Sequence, residues 1–527
     1  MQFCRNNRFF RFSTALPMLF FCLVVAHEAQ SQSSKKTKIE LLNADVSEFN
    51  ESFNAKATRL IGNVRFKHES AFMFCDSAYL YREENRLEAF GHIRLTQGDS
   101  LTMTGGKLDY DGNTRIANVF ENIVLSDRKM TLRTQRIEYD LSGSTAYYTD
   151  SAHIVDGENT LTSRQGFYYS KTADLYFKKD VLLVNPRYTL SCDTLRYNTV
   201  SRIAYFLGPT YLWTTTSNMY CESGWYNTNR QNCLFTRNSR LENDGQVLRG
   251  DTIAYDQKKD IGKAFGQVSI SDSVRQLIIR GNYAEHHQLT DSSWVTGAAE
   301  MVNYQGGDSL FLHADTLLAK GNSTRKDSAS FSNRDVFAFH HVKLYKSDLQ
   351  GTCDSLVYAS SDSTIRFFRK PVLWSGHNQL TADSIWLVMG DSAIERIHLK
   401  LNALIISQSD SNQIGILDSL RFNQITGKSM VGYFNGNELS KINVTGNGQT
   451  IYYAKSSTNK DVAVNRADCS DLIIDVYKNE LRKITLVNDP DGALYPIKEL
   501  RTNELRLKGF KWLQNERPKS RSDIFTH

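Results

Sequence analysis

The sequence predicts an all-β chain, an elongated β-solenoid roll of stacked units about 29 residues long, and three columns of residues predict it. Tyr110, Tyr139, Tyr168, Tyr197, Tyr226 and Tyr255 stand 29 residues apart. Met103, Leu132, Leu161, Leu190, Met219, Leu248 and Leu277 keep that spacing, and so do Leu125, Ile154, Leu183, Leu212, Leu241 and Ile270. One inserted residue would put all three columns out of phase. Such a period marks a chain that stacks small units, each burying its apolar face against its neighbours.

Composition agrees. The 527 residues include 25 Tyr and 28 Phe but only 7 Pro, a mixture suited to many short strands joined by turns. The formal charge of +6 is spread over 63 basic and 57 acidic residues without a basic stripe, so nucleic acid is not an expected partner.

The chain opens with Arg5, Arg8 and Arg11, then an apolar run from Ala15 to Ala26. That order reads as a signal for export, with residues 1–31 removed at Ala26, Ala29 or Ser31. A membrane anchor needs roughly 20 apolar residues, more than this run supplies. Cys22 is a poor lipoprotein site, because Phe21 precedes it and apolar residues follow.

Residues 32–38 form a polar lead, and the regular repeats occupy 39–290. In one unit, Asp111-Gly112-Asn113 reads as a hairpin turn tolerant of positive φ. Arg115 to Phe120 reads as a strand, broken at Glu121-Asn122 and resumed at Ile123 to Leu125. Met130 to Leu132 and Arg136 to Tyr139 follow, so each unit offers three or four short strands and no helix. Gly62 and Gly91 read as turn glycines at the head of two such units. From 291 to 500 the repeat loosens, with an inserted polar loop at 321–334. Leu505 to Trp512 suits a last strand or a short helix within the 501–527 tail, and the basic-polar residues after Pro518 are expected to order only on a partner.

Residues two apart on a strand share a face. Leu108 therefore sides with Tyr110, Ile137 with Tyr139, Leu195 with Tyr197 and Ile253 with Tyr255, with Gly166 and Gly224 in the aliphatic column of the other copies. Stacked at about 4.8 Å per rung, these would make ladders that are core if the two walls meet and an apolar trough if they part. Uncovered first and last rungs would offer edges for strand addition.

No catalytic or phosphate-binding motif is present, and no cofactor or metal is expected. The pairs His286-His287 and His340-His341 would point to opposite faces of a strand, which suits no shared metal. Asp193, Asp251, Asp315, Asp354, Asp383 and Asp418 each precede Thr or Ser, and Gln135 and Arg164 fill the same column. This reads as a bend where the side chain caps backbone N–H groups, not as a calcium array. Cys192 and Cys221, one period apart, are either a disulfide or two buried thiols.

The run of Asp-Thr-Leu-x-Tyr units with Gly-x-Val-x-Leu segments resembles the OstA-like family, relatives of the lipopolysaccharide-transport and organic-solvent-tolerance proteins of Gram-negative bacteria. The resemblance implies a periplasmic β-jellyroll, V-shaped in section, whose interior shields lipid A acyl chains. It implies partners among the other transport proteins, or further copies of this chain, joined edge strand to edge strand, with peripheral attachment to the outer membrane. The positions it marks as lining the groove are Leu108, Ile137, Leu195 and Ile253, beside Leu132, Leu161 and Leu190, with Tyr110, Tyr139, Tyr197 and Tyr255 on the same faces. It implies a carrier and no enzyme. The alternatives are a ligand-free periplasmic or surface scaffold and a carbohydrate-binding or carbohydrate-active β-helix.

Overall fold

The computed structural model describes residues 37–526, interrupted at short stretches of which the longest are 50–55, 322–333, 410–419 and 498–503. The signal at 1–31, Asp418 and most of the inserted loop lie outside the described residues. Gly321 and Arg334 pair with each other, which sets that insertion at a hairpin end.

The described residues form one 34-stranded sheet in which every pairing is antiparallel and successive long strands lie side by side. An antiparallel ladder rules out the parallel β-helix on which the carbohydrate alternative rested. Most units contain two long strands where the sequence suggested three or four short ones. Ile116–Asp127 runs through Glu121-Asn122 without ending, and Met130–Asp140 returns alongside it. A strand of 12 residues, one of 11 and the turns at their ends make up the 29-residue period. Two copies do split in four: Thr145–Tyr148, Ala152–Asp156, Asn159–Ser163 and Gln165–Tyr169, and again Thr364–Phe368, Val372–Ser375, Asn378–Thr381 and Ser384–Met389.

Long strands bend once, near the middle. On alternate strands two consecutive residues take left-handed backbone angles while the register shifts, as at Gly62-Asn63 (φ 80 and 44), Glu121-Asn122 (69 and 50) and Leu401-Asn402 (62 and 50). Such paired bulges turn a strand through a corner. Left-handed geometry costs an L-residue roughly 1–2 kcal/mol, and no Val, Ile or Thr among the described residues adopts it. Gly62 and Gly91 are therefore corners inside strands and not turns between them.

The aspartate column braces these corners. Asp45 accepts from Asn63 at 2.8 Å, His92 bonds Asp76 at 2.7 Å and Asn402 donates to Asp383 at 3.1 Å. Gln135 caps the N–H of Asn122 at 3.1 Å, and Arg164 pairs with Asp180. His341 and His340, themselves corner residues, reach Asp315 and Asp354. Backbone capping is thus one case of a wider rule, in which the column touches the corner of the adjoining strand. The four-residue turn at 112–115 carries its positive φ on Arg115 (64°), while Asp111 caps the N–H of Asn113 at 2.7 Å.

Each bent strand has two arms, and a 29-residue column skips every other strand. Ala117 lies between Tyr110 and Tyr139, so the tyrosines stand about 9.6 Å apart, two strand spacings and not one. Beside the corner the inward row is small and buried: Val181, Cys192, Thr210, Cys221, then Ser239 and Gly250. Thr210 separates Cys192 from Cys221, beyond the reach of a disulfide. All six described cysteines are free and buried, and burial raises the Cys192 and Cys221 thiols to about 12.

The tail is ordered. It has neither strand nor α-helix at Leu505 to Trp512, but it runs back over the outer face of one arm. Buried Gln424 takes the N–H of Leu507 at 2.8 Å and donates to the carbonyl of Leu505 at 2.9 Å. Gln379 repeats the contact with Leu513 and Lys511, both at 2.7 Å. Phe510 and Trp512 cover Phe422, and Arg521 forks onto Glu300 through two bonds of 2.7 Å. Two 3₁₀ turns, Gln514–Glu516 and Arg521–Phe525, complete it.

Candidate functional site

The inward faces of the two arms hold nearly all the residues that the sequence singled out. Two of its three columns prove to be one ladder: Met103, Leu125, Leu132, Ile154, Leu161 and Leu183 are consecutive cross-strand neighbours. Leu277 leaves that ladder. Ile279 takes its place opposite Ile270, because the turn before it is longer. Leu108 and Ile137 lie on the facing arm through Val119, and Leu195 and Ile253 continue that row by way of Phe206, Gly224 and Phe235. Glycine is required at two of its places. A Cβ on Gly166 would stand 2.4 Å from the Tyr148 hydroxyl, and one on Gly224 would stand 2.4 Å from the Leu234 carbonyl.

Burial along the first of these rows is graded, whereas the row of the facing arm stays buried through Phe206, Phe235, Ile253, Ala264 and Val295. Met103, Leu125, Leu132, Leu108 and Ile137 are sealed, and Leu161, Leu190, Leu195 and Ile253 remain buried. Leu183, Leu212, Met219, Leu241, Leu248, Ile270, Ile279 and Met301 are only half-buried; beyond them Leu312, Leu344 and Leu373 are buried, while Leu380 and Ile425 are again half-buried. Tyrosines follow the same course: Tyr110, Tyr139 and Tyr168 are buried, whereas Tyr197, Tyr226 and Tyr255 are part-exposed. Where the two regimes meet, Leu161, Leu190, Leu195, Tyr197 and Tyr226 help to wall an apolar cavity of about 40 Å³. A void of that size and lining stays dry.

A polar column at the rim of the other arm explains the gradation. Tyr110 bonds His68 at 2.5 Å, Tyr139 donates to Gln97 and Tyr168 donates to Asp127, each crossing from one arm to the other. In the fourth copy the link is indirect, since Arg202 bonds both Tyr197 (3.2 Å) and Asp156 (3.4 Å). The next member of the column, Asn185, bonds Asn159 instead, while Tyr226 packs edge-on against Tyr188 at 6.0 Å. Tyr255 turns its hydroxyl to Asp260, five residues along its own hairpin. Burial raises the Tyr139 phenol to about 12 and lifts Tyr110 and Tyr168 further, so all three stay protonated donors.

His68, Gln97, Asp127, Asp156, Asn185 and Thr214 went unnoticed in the sequence, although they recur at 29 or 30 residues. Their side chains differ too much to catch the eye; what they share is polarity at one phase of an apolar repeat.

Residues 36–193 and 210–290 match the family described as OstA-like protein. Over these residues the chain is OstA-like. The match takes in the sealed copies and most of the half-buried stretch. Among solved structures, LptH of Pseudomonas aeruginosa, described as the LptA-homologous periplasmic component of a lipopolysaccharide transport device, aligns at 13% identity. The alignment covers 21% of this chain and 93% of LptH at a TM-score of 0.21, too low to carry an argument. No curated protein matches. No helix among the described residues is long and apolar enough to cross a membrane.

Proposed function

We propose that the chain is a periplasmic bridge whose two arms form a V in section and shield the acyl chains of lipopolysaccharide between them on the way to the outer membrane. The observation that carries this reading is the unbroken run of half-buried residues from Leu212 to Met301 on one arm, which follows the sealed copies before it. Small residues at the corner and large ones toward the mouth make a wedge, and parting its mouth uncovers apolar side chains without disturbing the corner. Each methylene covered there contributes about 0.8 kcal/mol, so a fatty chain is held by many weak contacts and released without breaking a strong one. The groove residues of this reading are the half-buried ones first, with Leu108, Tyr110, Leu132, Ile137, Tyr139, Leu161, Leu190, Leu195, Tyr197, Ile253 and Tyr255 along the same path. Residues 39–290 and 291–500 serve as two consecutive lengths of it.

The sheet ends support assembly by edge pairing. Glu40–Asn43 and Val46–Phe49 pair only with Thr58–His68, and Phe49 is 60% exposed. At the other end Glu480–Val487 and Asp491–Pro496 pair only with Asp461–Tyr477, and Leu494 is 64% exposed. Among the described residues, both ends thus offer unpaired backbone to another transport protein or a second copy.

Photocrosslinking tests the carrier role. A benzophenone side chain at Leu241 or Ile270 is expected to capture lipopolysaccharide. The sealed copies from Met103 to Leu161 favour the ligand-free scaffold, and absence of adducts at both positions, with a known carrier labelled in parallel, would decide for it.

A further inference from the structure

We propose that Tyr110, Tyr139 and Tyr168, with His68, Gln97 and Asp127, are a row of latches that hold the first third of the groove shut. An acyl chain held at the half-buried stretch reaches that third only by releasing them. The inference rests on the carrier reading above and adds what the ligand must open.

Packing alone would be served by phenylalanine. A phenol inside a sealed apolar layer is costly unless its hydroxyl finds a partner, and here each partner lies on the opposite arm, 41 or 42 residues back. The tyrosine repeats in all six copies, yet only the first three close directly. The fourth closes through Arg202, and the fifth and sixth do not reach the rim residues that succeed His68, Gln97 and Asp127. Burial of the neighbouring leucines changes over these same copies. Closed, the hydroxyl and its partner satisfy each other. Open, both meet water, and the exchange has a small net cost. That balance suits a mouth that opens one rung at a time. A mouth lined by Phe and Leu would have no such partner to exchange.

The test compares two crosslinker sites, Leu132 in the latched stretch and Leu241 in the open one, in the mature chain mixed with purified lipopolysaccharide. Wild type is expected to give adducts mainly at Leu241. In the triple variant Y110F/Y139F/Y168F, adducts at Leu132 are expected to rise at least about fivefold, the factor that one ordinary hydrogen bond represents, with Leu241 unchanged. An unchanged ratio with Leu241 still labelled overturns the latch and leaves the carrier standing. Loss of adducts at both sites in wild type overturns the carrier itself. Should the triple variant fail to fold, Y139F alone is read by amide exchange without lipid. Faster exchange confined to Arg86–Gln97 and Met130–Tyr148 is expected, and exchange equal to wild type there overturns the latch.

Discussion

Leu125→Ala and Leu241→Ala remove the same atoms from the same ladder, four copies apart, and the structure predicts unequal costs. Leu125 is wholly sealed between Met103 and Leu132, in copies that the tyrosine bonds hold closed. A Leu-to-Ala change in such a core costs about 2.7–5 kcal/mol, the transfer loss plus the cavity left behind. Leu241 is half-buried between Met219 and Leu248. Full burial of such a side chain is worth about 1.5–3 kcal/mol, so losing half of it costs about 1 kcal/mol with no closed cavity to add. A stacked-repeat chain need not unfold in one step, so local amide exchange is the proper assay. Near Leu125 protection is expected to fall by a factor of at least about 100, and near Leu241 by about fivefold. Equal losses, or a larger one at Leu241, would mean that the middle rungs are packed like the first and that no open stretch exists.

Two further outcomes follow from the corner and the tail. Gly266→Ala puts a Cβ 2.2 Å from an Asp251 carboxylate oxygen at φ +69, and is expected to cost at least about 2 kcal/mol, seen as lost protection in the strands on either side. Glu300 is buried, which by itself raises its pKa, but the bonds from Arg521 and Arg280 outweigh this and hold it below the usual glutamate range. Because the folded value lies below the unfolded one, the contribution is complete above the ordinary glutamate pKa and is lost as pH falls through the depressed value. Acidification through that window is therefore expected to free residues 521–525 first, as new proteolytic cleavage there. E300Q should show the same cleavage at neutral pH, and a tail equally protected in both conditions contradicts the contact.

The period was legible because the core demands it: every second strand must present an apolar residue at the same distance from the corner, or the ladder breaks. Strand counts were not legible. Glu121-Asn122 breaks the apolar alternation whether the chain turns back or merely rounds a corner, and only the facing strand distinguishes these. Gly62 and Gly91 misled for the same reason. The aspartate column was read as local capping since sequence shows the neighbour along the chain and not the neighbour across the sheet. The tail after Pro518 was expected to order only on a partner because its basic and polar residues look solvated, yet Arg521 meets Glu300, 221 residues away, and Arg517 just before it bonds buried Gln350 at 2.7 Å, 167 residues away. Contacts of that separation leave no local trace.

The open stretch is a further step from the same logic. Backbone pairing and the register shift at the corner continue through it, so on the proposed reading the ladder itself does not dictate where the arms part. What that reading points to is the rim residue of each copy. His68, Gln97 and Asp127 each bond a tyrosine of the facing arm, His68 while also bonding Thr37 and Gln97 while also donating to the Leu141 carbonyl, whereas Asn185 donates to Asn159 and Thr214 to Ser217. A uniform scaffold can in this way carry a non-uniform groove, with closure set copy by copy by whether the rim side chain is committed along its own arm or across the mouth. Moving the boundary then requires no change to the core. Asn159→Ala frees the Asn185 amide N–H toward Tyr226 while its oxygen keeps the Arg187 N–H at 3.0 Å; it should extend the sealed stretch by one copy, and slower amide exchange across Asn218–Asn227 would register it.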